Sequence, residues 1–366
     1  MTDLGTGTTE LLSLFLIVLV IYVVQCICWV SPRSVVFGLD FRGRGKRSRQ
    51  GIILNALETA GILANPFPPL TPLLAVQWPA FEVTPDGIQF ESKEGEAISI
   101  PWEKLKVTHS ETRLRCNGSL AFKGSEFQVL QYVELLGQLQ QARRGQRGQM
   151  IQEWVGKMMN RQAASRRLRI FALRTRWLRI VAILQFVFLF LLVPLSFARF
   201  GTLIVWRLIV MLVVISIAIT VDLWIVHKSL FPKAGEHRFK SASITLLSPI
   251  AAIRACDVVA RDLLSGYHPV AVAAAVLPAE EFRRFAGEQL RLCRFGDYLD
   301  KQYQATLQKA MERAIRHEGV DPEELLRPPE REGDCVVYCP RCLAQYTKQR
   351  EGCSDCGFEK LLAISR

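Results

Sequence analysis

Histidine is scarce and scattered. The 366 residues hold only His109, His227, His237, His268 and His317, and no two stand at metal-ligand spacing. Ser-His-Asp sets, Walker loops and Rossmann glycine patterns are missing as well. The chain therefore offers no catalytic constellation. Glycine (24) and proline (17) are too few for a collagen-like or low-complexity protein. Charge is missing too, but only from three long stretches, and that pattern excludes a simple soluble enzyme.

The first uncharged stretch lies between Glu10 and Arg33, with Leu11 to Val30 as its apolar core. The second lies between Arg179 and Arg199. The third runs from Gly201 to Val226 and is broken only by Arg207 and Asp222. A bilayer core about 30 Å thick needs roughly 20 apolar helical residues, so the sequence predicts three transmembrane helices. A buried core helix is rarely this long without a charge. The segment before the first run carries acids and no Lys or Arg, and CICWVSPRS is a poor cleavage site, so the run reads as an uncleaved anchor and not a signal peptide. Near the ends of the third run, Arg207 can snorkel to the interface. A functional intramembrane pair between Arg207 and Asp222 is the sharper reading. Their fifteen-position separation is about 22 Å of helix, too far to pair within one helix.

Positive charge sits beside these runs. Residues 31–50 carry a net +5 and residues 143–180 a net +10, which leaves −3 for the rest of a chain whose total is +12. By the positive-inside rule the N-terminus lies outside and residues 33–178 lie in the cytoplasm, as does the C-terminal region. Arg166, Arg167, Arg169, Arg174, Arg176 and Arg179 form the basic membrane-interface set. Such a run sets topology, and binding of anionic lipid head groups is an added role. Nucleic acid ranks last among the partners, because few aromatics are interleaved with these arginines.

Between the first two runs, residues 51–64 have helical spacing, and the Pro-rich NPFPPLTP ends it. The period then changes to two. Segments at 81–84 and 87–91 flank the turn Pro85-Asp86-Gly87. Further alternation follows at 97–100, 104–109, 112–116 and 120–123, with Asn117-Gly118 as a second turn. From Glu126 onward Val129, Val133, Leu136 and Leu139 share one helical face. Asn117-Gly118-Ser119 matches a glycosylation sequon but reads as a turn on the cytoplasmic side. Residues 79–141, with Thr84, Gly87, Ile88, Ile100, Pro101 and Trp102 in a T-x-x-G-I … I-P-W pattern, resemble the PH-like domains of bacterial membrane proteins. That resemblance implies a half-barrel capped by a helix, used for docking on proteins or lipids.

After the third run, residues 249–264 form an amphipathic helix suited to a membrane surface or a soluble core, with Arg254, Asp257 and Arg261 on one face. Pro278-Ala-Glu-Glu opens a helical region that reaches Arg316, broken near Gly296. Its expected buried positions are Phe282, Phe285, Leu290, Tyr303, Leu307, Met311 and Ile315.

The specific chemical signal is at the C-terminus. Cys339-Pro-Arg-Cys342 and Cys353-Ser-Asp-Cys356-Gly357 are two C-x-x-C knuckles separated by ten residues. Two knuckles place four thiolates around a tetrahedral metal, zinc first and iron second. With four protein ligands the site has no open position and is structural. Residues 335–360 resemble a zinc ribbon, and Cys335 is expected to stand outside the ligand set.

The chain thus reads as a multi-pass α-helical membrane protein of bacterial inner-membrane type with three transmembrane helices. Residues 1–32 form the anchor, 33–142 a cytoplasmic α+β PH-like domain and 143–178 a basic juxtamembrane helix. Residues 179–227 form a transmembrane hairpin, 228–320 a cytoplasmic helical region, 321–334 a linker and 335–366 the zinc ribbon. The expected role is non-enzymatic docking or assembly with a protein partner at the bilayer. Lipid handling or transport is the second reading, and membrane-tethered nucleic-acid binding the third.

Overall fold

A computed structural model describes residues 4–30, 34–39, 53–54, 61–65, 70–92, 95–231, 252–264, 266–358 and 360–364. The architecture is mostly helical with several small sheets. The basic residues at 42–49, Lys233, His237, Arg238 and Lys240 fall outside the described residues, as do the side chains of Arg254, Asp257 and Arg261. The chain forms two compact units, each built from two separated stretches. One comprises Met1–Gln77 with Ser165–Ser265, the other Trp78–Ala164 with Gly266–Arg366.

The first unit opens with helix α1, Leu4–Gln25, whose apolar part is Leu12–Val24. The helix stops where the sequence pattern did not. Ile27–Val30 is strand β1, antiparallel to β4 (Gly61–Ala64), with Ile27 opposite Ala64. The expected single span over Leu11–Val30 is corrected accordingly. Ile, Trp and Val favour strands, and the partner lies more than thirty residues away, where local periodicity cannot show it.

The helix expected over 51–64 is also overturned at its described positions. Ile53–Leu54 is β3, and the last four residues are β4. Strand β2 (Ser34–Gly38) pairs with β3 on one side and with β5 (Leu73–Gln77) on the other. Short apolar runs satisfy both periods, and only long-range pairing decides between them.

Among the described residues, two helices are long and apolar enough to cross a membrane: Arg176–Phe200 and Trp206–Leu230. The first is α5 (Arg176–Val187), a π-helical turn at Phe188–Leu192, and α6 (Val193–Phe200). Pro194 explains the turn. It has no N–H to give, and its ring crowds the carbonyl four residues back. The Val193 N–H reaches five residues back to Phe188 O. The widened turn presents Phe188 and Leu189 to Tyr22 of α1 and to Cys26 just after it, where they form one buried cluster. Tyr22 meets the Phe190 ring edge to face at 4.9 Å. A short turn at Gly201–Ile204 leads into α7 (Val205–Leu230), and Gly201 takes a φ of 62° that a Cβ would oppose.

Helix α8 (Ala252–Leu263) buries Ala255, Cys256, Val259, Ala260 and Leu263, as a packed core helix does. Its Asp262 lies 3.9 Å from His227 Nε2 of α7, and both side chains are buried.

The second unit contains three three-stranded antiparallel sheets among the described residues, two of them before its helices and one at its C-terminal end. Of the first two, one orders β6 (Glu82–Val83), β7 (Gly87–Glu91) and β8 (Ala97–Pro101). The other orders β11 (Ser119–Lys123), β10 (Arg113–Cys116) and β9 (Val107–Ser110). Asn117 and Gly118 both take positive φ, 50° and 86°, the conformation of a two-residue hairpin turn.

Helix α2 (Glu126–Gln141) follows, opened by a capping box between Ser125 and Gln128. Its buried face holds Val129, Tyr132, Leu135, Leu136 and Leu139. Val133 is only half-buried, and Tyr132 takes its place, because the Phe81 and Phe122 rings pack edge-on against Tyr132 at 5.2 and 4.8 Å.

Residues 143–178 are not one helix. They divide into α3 (Arg144–Met158), α4 (Arg161–Arg174) and the start of α5. The breaks fall at Met159-Asn160 and at Thr175. There the Thr175 hydroxyl donates to Phe171 O at 2.7 Å, a back-bond that bends helices.

The helices α9 (Pro269–Val276), α10 (Ala279–Arg294) and α11 (Lys301–His317) complete this unit, with α12 (Pro322–Leu325) capped by Asp321. All seven positions expected to be buried between Phe282 and Ile315 are buried. The break near Gly296 is real and serves a purpose. Its backbone docks on the first sheet, where the Glu82 carboxylate accepts from the Leu299 N–H (2.8 Å) and the Asp300 N–H (2.7 Å).

Candidate metal centre

Strand β12 (Val337–Tyr338) lies between β13 (Gln345–Tyr346) and β14 (Leu362–Ala363). This small sheet holds the two knuckles. All pairs among the Sγ atoms of Cys339, Cys342, Cys353 and Cys356 lie within 4.8 Å. Cys339 and Cys356 are 3.5 Å apart, and Cys342 and Cys353 are 3.4 Å apart. Four thiolates at about 2.3 Å from one tetrahedral centre would stand about 3.8 Å from each other. The cluster matches that spacing, is consistent with a zinc ribbon and can hold a metal ion. Cys335 is outside it.

The two knuckles have the same backbone. In the first, Cys339 N–H donates to Ala344 O and Leu343 N–H to Cys339 O. In the second, Cys353 N–H donates to Phe358 O and Gly357 N–H to Cys353 O. The residue after each second cysteine is left-handed, Leu343 at φ 65° and Gly357 at φ 68°. Gly357 was legible as a turn residue. Leu343 was not, although it stands one place after Cys342 as Gly357 stands one place after Cys356.

This turn aims amides at sulfur. Burial raises the Cys342 and Cys356 thiols, against which the N–H groups of Ala344 and Phe358 stabilise the respective thiolates. At Cys353 burial also raises the pKa, but the Tyr346 hydroxyl and the amides of Cys356 and Asp355 outweigh it and hold the thiol down to about 6. The Tyr346 hydroxyl lies 3.1 Å from Cys353 Sγ, and the Arg350 guanidinium lies over the Tyr346 ring at 5.3 Å. Sequence reasoning missed Tyr346, because nothing local assigns it to a sulfur seven residues away. The ribbon rests on the rest of its unit through Phe358 against Phe295 (6.0 Å) and Arg341 near Asp297 (3.6 Å).

The T-x-x-G … I-P-W residues come together as a structural knot. Thr84 Oγ1 accepts from Asp86 N–H and Gly87 N–H, and Trp102 Nε1 donates to Thr84 O at 3.0 Å. A Cβ at Gly87 would stand 2.2 Å from Ile100 O, so only glycine allows β8 this close. Trp102 is fully buried and serves the core.

The remaining expected site residues stay dispersed. Arg166, Arg167, Arg169, Arg174 and Arg176 are exposed along α4 and α5, while Arg179 is half-buried and donates to Ala172 O at 2.7 Å. Arg207 is exposed and Asp222 half-buried on the same helix, and the structure forms no pair between them. Cys26, Cys116, Cys256 and Cys293 are buried. No protein-family model matches the chain, and no curated protein or solved structure matches it either.

Proposed function

We propose that this protein is a non-enzymatic membrane component that presents a zinc ribbon and a PH-like sheet-and-helix module for docking or assembly at the cytoplasmic face of a cell membrane. The observation that carries this reading is the closed set of four thiolates, Cys339, Cys342, Cys353 and Cys356, on two identical turns. Every ligand position is supplied by protein, so the metal holds the ribbon together and has no open site for chemistry. Four-sulfur coordination on such turns suits zinc, with iron the chemical runner-up.

Membrane insertion is supported by the two long apolar helices, whose apolar 18-residue stretches are only 28 % and 22 % buried. Trp177 and Trp206 stand exposed near opposite ends of this hairpin, where interfacial aromatics belong. The first apolar helix, α1, is the third expected span. The arginines exposed along α4 and the start of α5 favour the cytoplasmic side and suit anionic lipid head groups.

Affinity capture from membranes tests the docking role. The full chain and a version lacking residues 335–366 should retain different protein partners. Identical partner sets would overturn the adaptor reading.

Lipid handling is the second reading, and one observation favours it. In the apolar hairpin, the fully buried Gln185 amide and one buried oxygen of Asp222 have no hydrogen-bond partner among the described residues. Such groups are costly in a bilayer and often mark a ligand path. Mass spectrometry of co-purified lipid, compared with Asp222→Asn, tests it: a bound species lost in the variant supports the reading, and unchanged bulk lipid removes it.

A further inference from the structure

The face that α4 and α5 turn outward carries one apolar row. Ile170, Leu173, Trp177, Ile180, Leu184 and Val187 recur every three or four residues, and all are exposed. On the opposite side Phe171, Thr175, Leu178 and Ala182 are buried. The Thr175 N–H donates to Phe171 O and the Arg179 N–H to Thr175 O, so helical periodicity carries across the break between the two helices. At 3.6 residues per turn, Arg169 and Arg176 fall on one flank of the row and Arg174 on the other, all three exposed. No acid stands between Glu153 and Asp222 in the sequence.

The row outruns the span. Counted back from Phe200, the roughly 20 residues that fill a bilayer core end near Val181. Trp177 then falls among the head groups. On a straight axis Leu173 and Ile170 would lie about 12 and 16 Å beyond the core, in water. Yet Leu173 is 67 % exposed, as open as Leu184 at 60 % within the apolar helix. Thr175, with φ −84° and ψ 5°, departs from helical values of about −63° and −42°, which lets α4 leave the axis of the span and lie on the bilayer surface.

A row spaced this way also suits a two-stranded coil with a second copy. In a parallel pair, however, Arg169, Arg174 and Arg176 would flank the seam and meet the same arginines of the copy. An anionic phospholipid surface answers both features of the row: its acyl boundary takes the apolar side chains, and its phosphates lie within reach of arginines that snorkel. Resting on the membrane reading above, we propose that residues 166–177 form an interfacial helix. It sinks Ile170, Leu173 and Trp177 into an anionic phospholipid surface whose phosphates are held by Arg169, Arg174 and Arg176.

The test places an environment-sensitive fluorescent residue at Leu173, or at Leu184 as a control within the span. The full chain is reconstituted in nanodiscs with brominated acyl chains, which quench a probe at the acyl boundary. Both probes should be quenched when phosphatidylglycerol is present. In phosphatidylcholine alone, Leu184 should stay quenched and Leu173 should lose most of its quenching. Arg169→Gln combined with Arg174→Gln should weaken the docking equilibrium read at Leu173 by about fivefold per arginine and leave Leu184 unchanged. A Leu173 probe that stays unquenched while Leu184 is quenched overturns the interfacial helix and leaves membrane insertion standing. Blue-shifted emission from that unquenched probe identifies a protein cover instead. Quenching at Leu173 that ignores both phosphatidylglycerol and the arginines overturns the choice of an anionic surface. If neither position is quenched, the membrane reading itself fails and the proposal falls with it.

Discussion

His268 is a buried histidine whose protonation the fold opposes. It caps α9, with Nδ1 accepting from Val270 N–H at 3.2 Å, and the Trp78 ring lies edge-on at 4.6 Å. Burial pushes its pKa down from 6.5 to about 3. An unfolded chain binds a proton here below pH 6.5, whereas the folded chain does so only near pH 3. The stability contributed by the neutral ring is thus complete above pH 6.5 and is lost as pH falls toward 3. At about 1.4 kcal/mol per pH unit, the loss is about 2 kcal/mol at pH 5 and about 3 kcal/mol at pH 4. His268→Asn keeps a capping oxygen and removes the titration. Pulse proteolysis in urea should show the wild type losing about 2 kcal/mol more than His268→Asn between pH 7 and pH 5. Parallel pH profiles for the two proteins would refute the reasoning. So would an NMR titration in which all five histidines protonate between pH 6 and pH 7.

Gly87→Ala should prevent the β7–β8 hairpin from closing, because the added Cβ meets Ile100 O at 2.2 Å. Its loss of amide protection would be absent in Gly137→Ala. There nothing lies within 4 Å, and the α2 interior should gain about 0.5–1 kcal/mol. Tyr346→Phe removes the hydroxyl that meets Cys353 Sγ, so transfer of the metal to a chelator should quicken by about tenfold. An unchanged rate would make that contact irrelevant to the metal. Gly357→Val places a β-branched residue at φ 68° and should weaken metal retention, read by competition with a chromogenic chelator.

The features legible in the sequence were those that local spacing encodes. The knuckles announce themselves by C-x-x-C, the 117–118 turn by Asn-Gly, and the helices from 279 to 317 by apolar residues every three or four positions. What the sequence hid is contact across distance. Ile27–Val30 looks like the end of a span until Gly61–Ala64 arrives to pair with it. Nothing in the 81–84 segment marks Glu82 as a core residue, yet it is buried and holds the backbone of Leu299 and Asp300. Burial raises its pKa, and the two amides act in the opposite direction. The two-unit organisation is invisible for the same reason, since each unit joins stretches that a linear reading assigns to separate domains. In the candidate metal centre the four cysteines were readable. Leu343 and Tyr346 were not, because a positive φ on leucine and a hydroxyl aimed at sulfur leave no mark in composition or period.

Elemental analysis of the full chain, purified in detergent without added metal, tests the central claim most directly. The account expects one zinc per chain, lost together with ribbon amide protection when Cys339 and Cys342 are both changed to serine. Iron in the site, or a metal-free ribbon with the four thiols freely alkylated and its amides still protected, would contradict it.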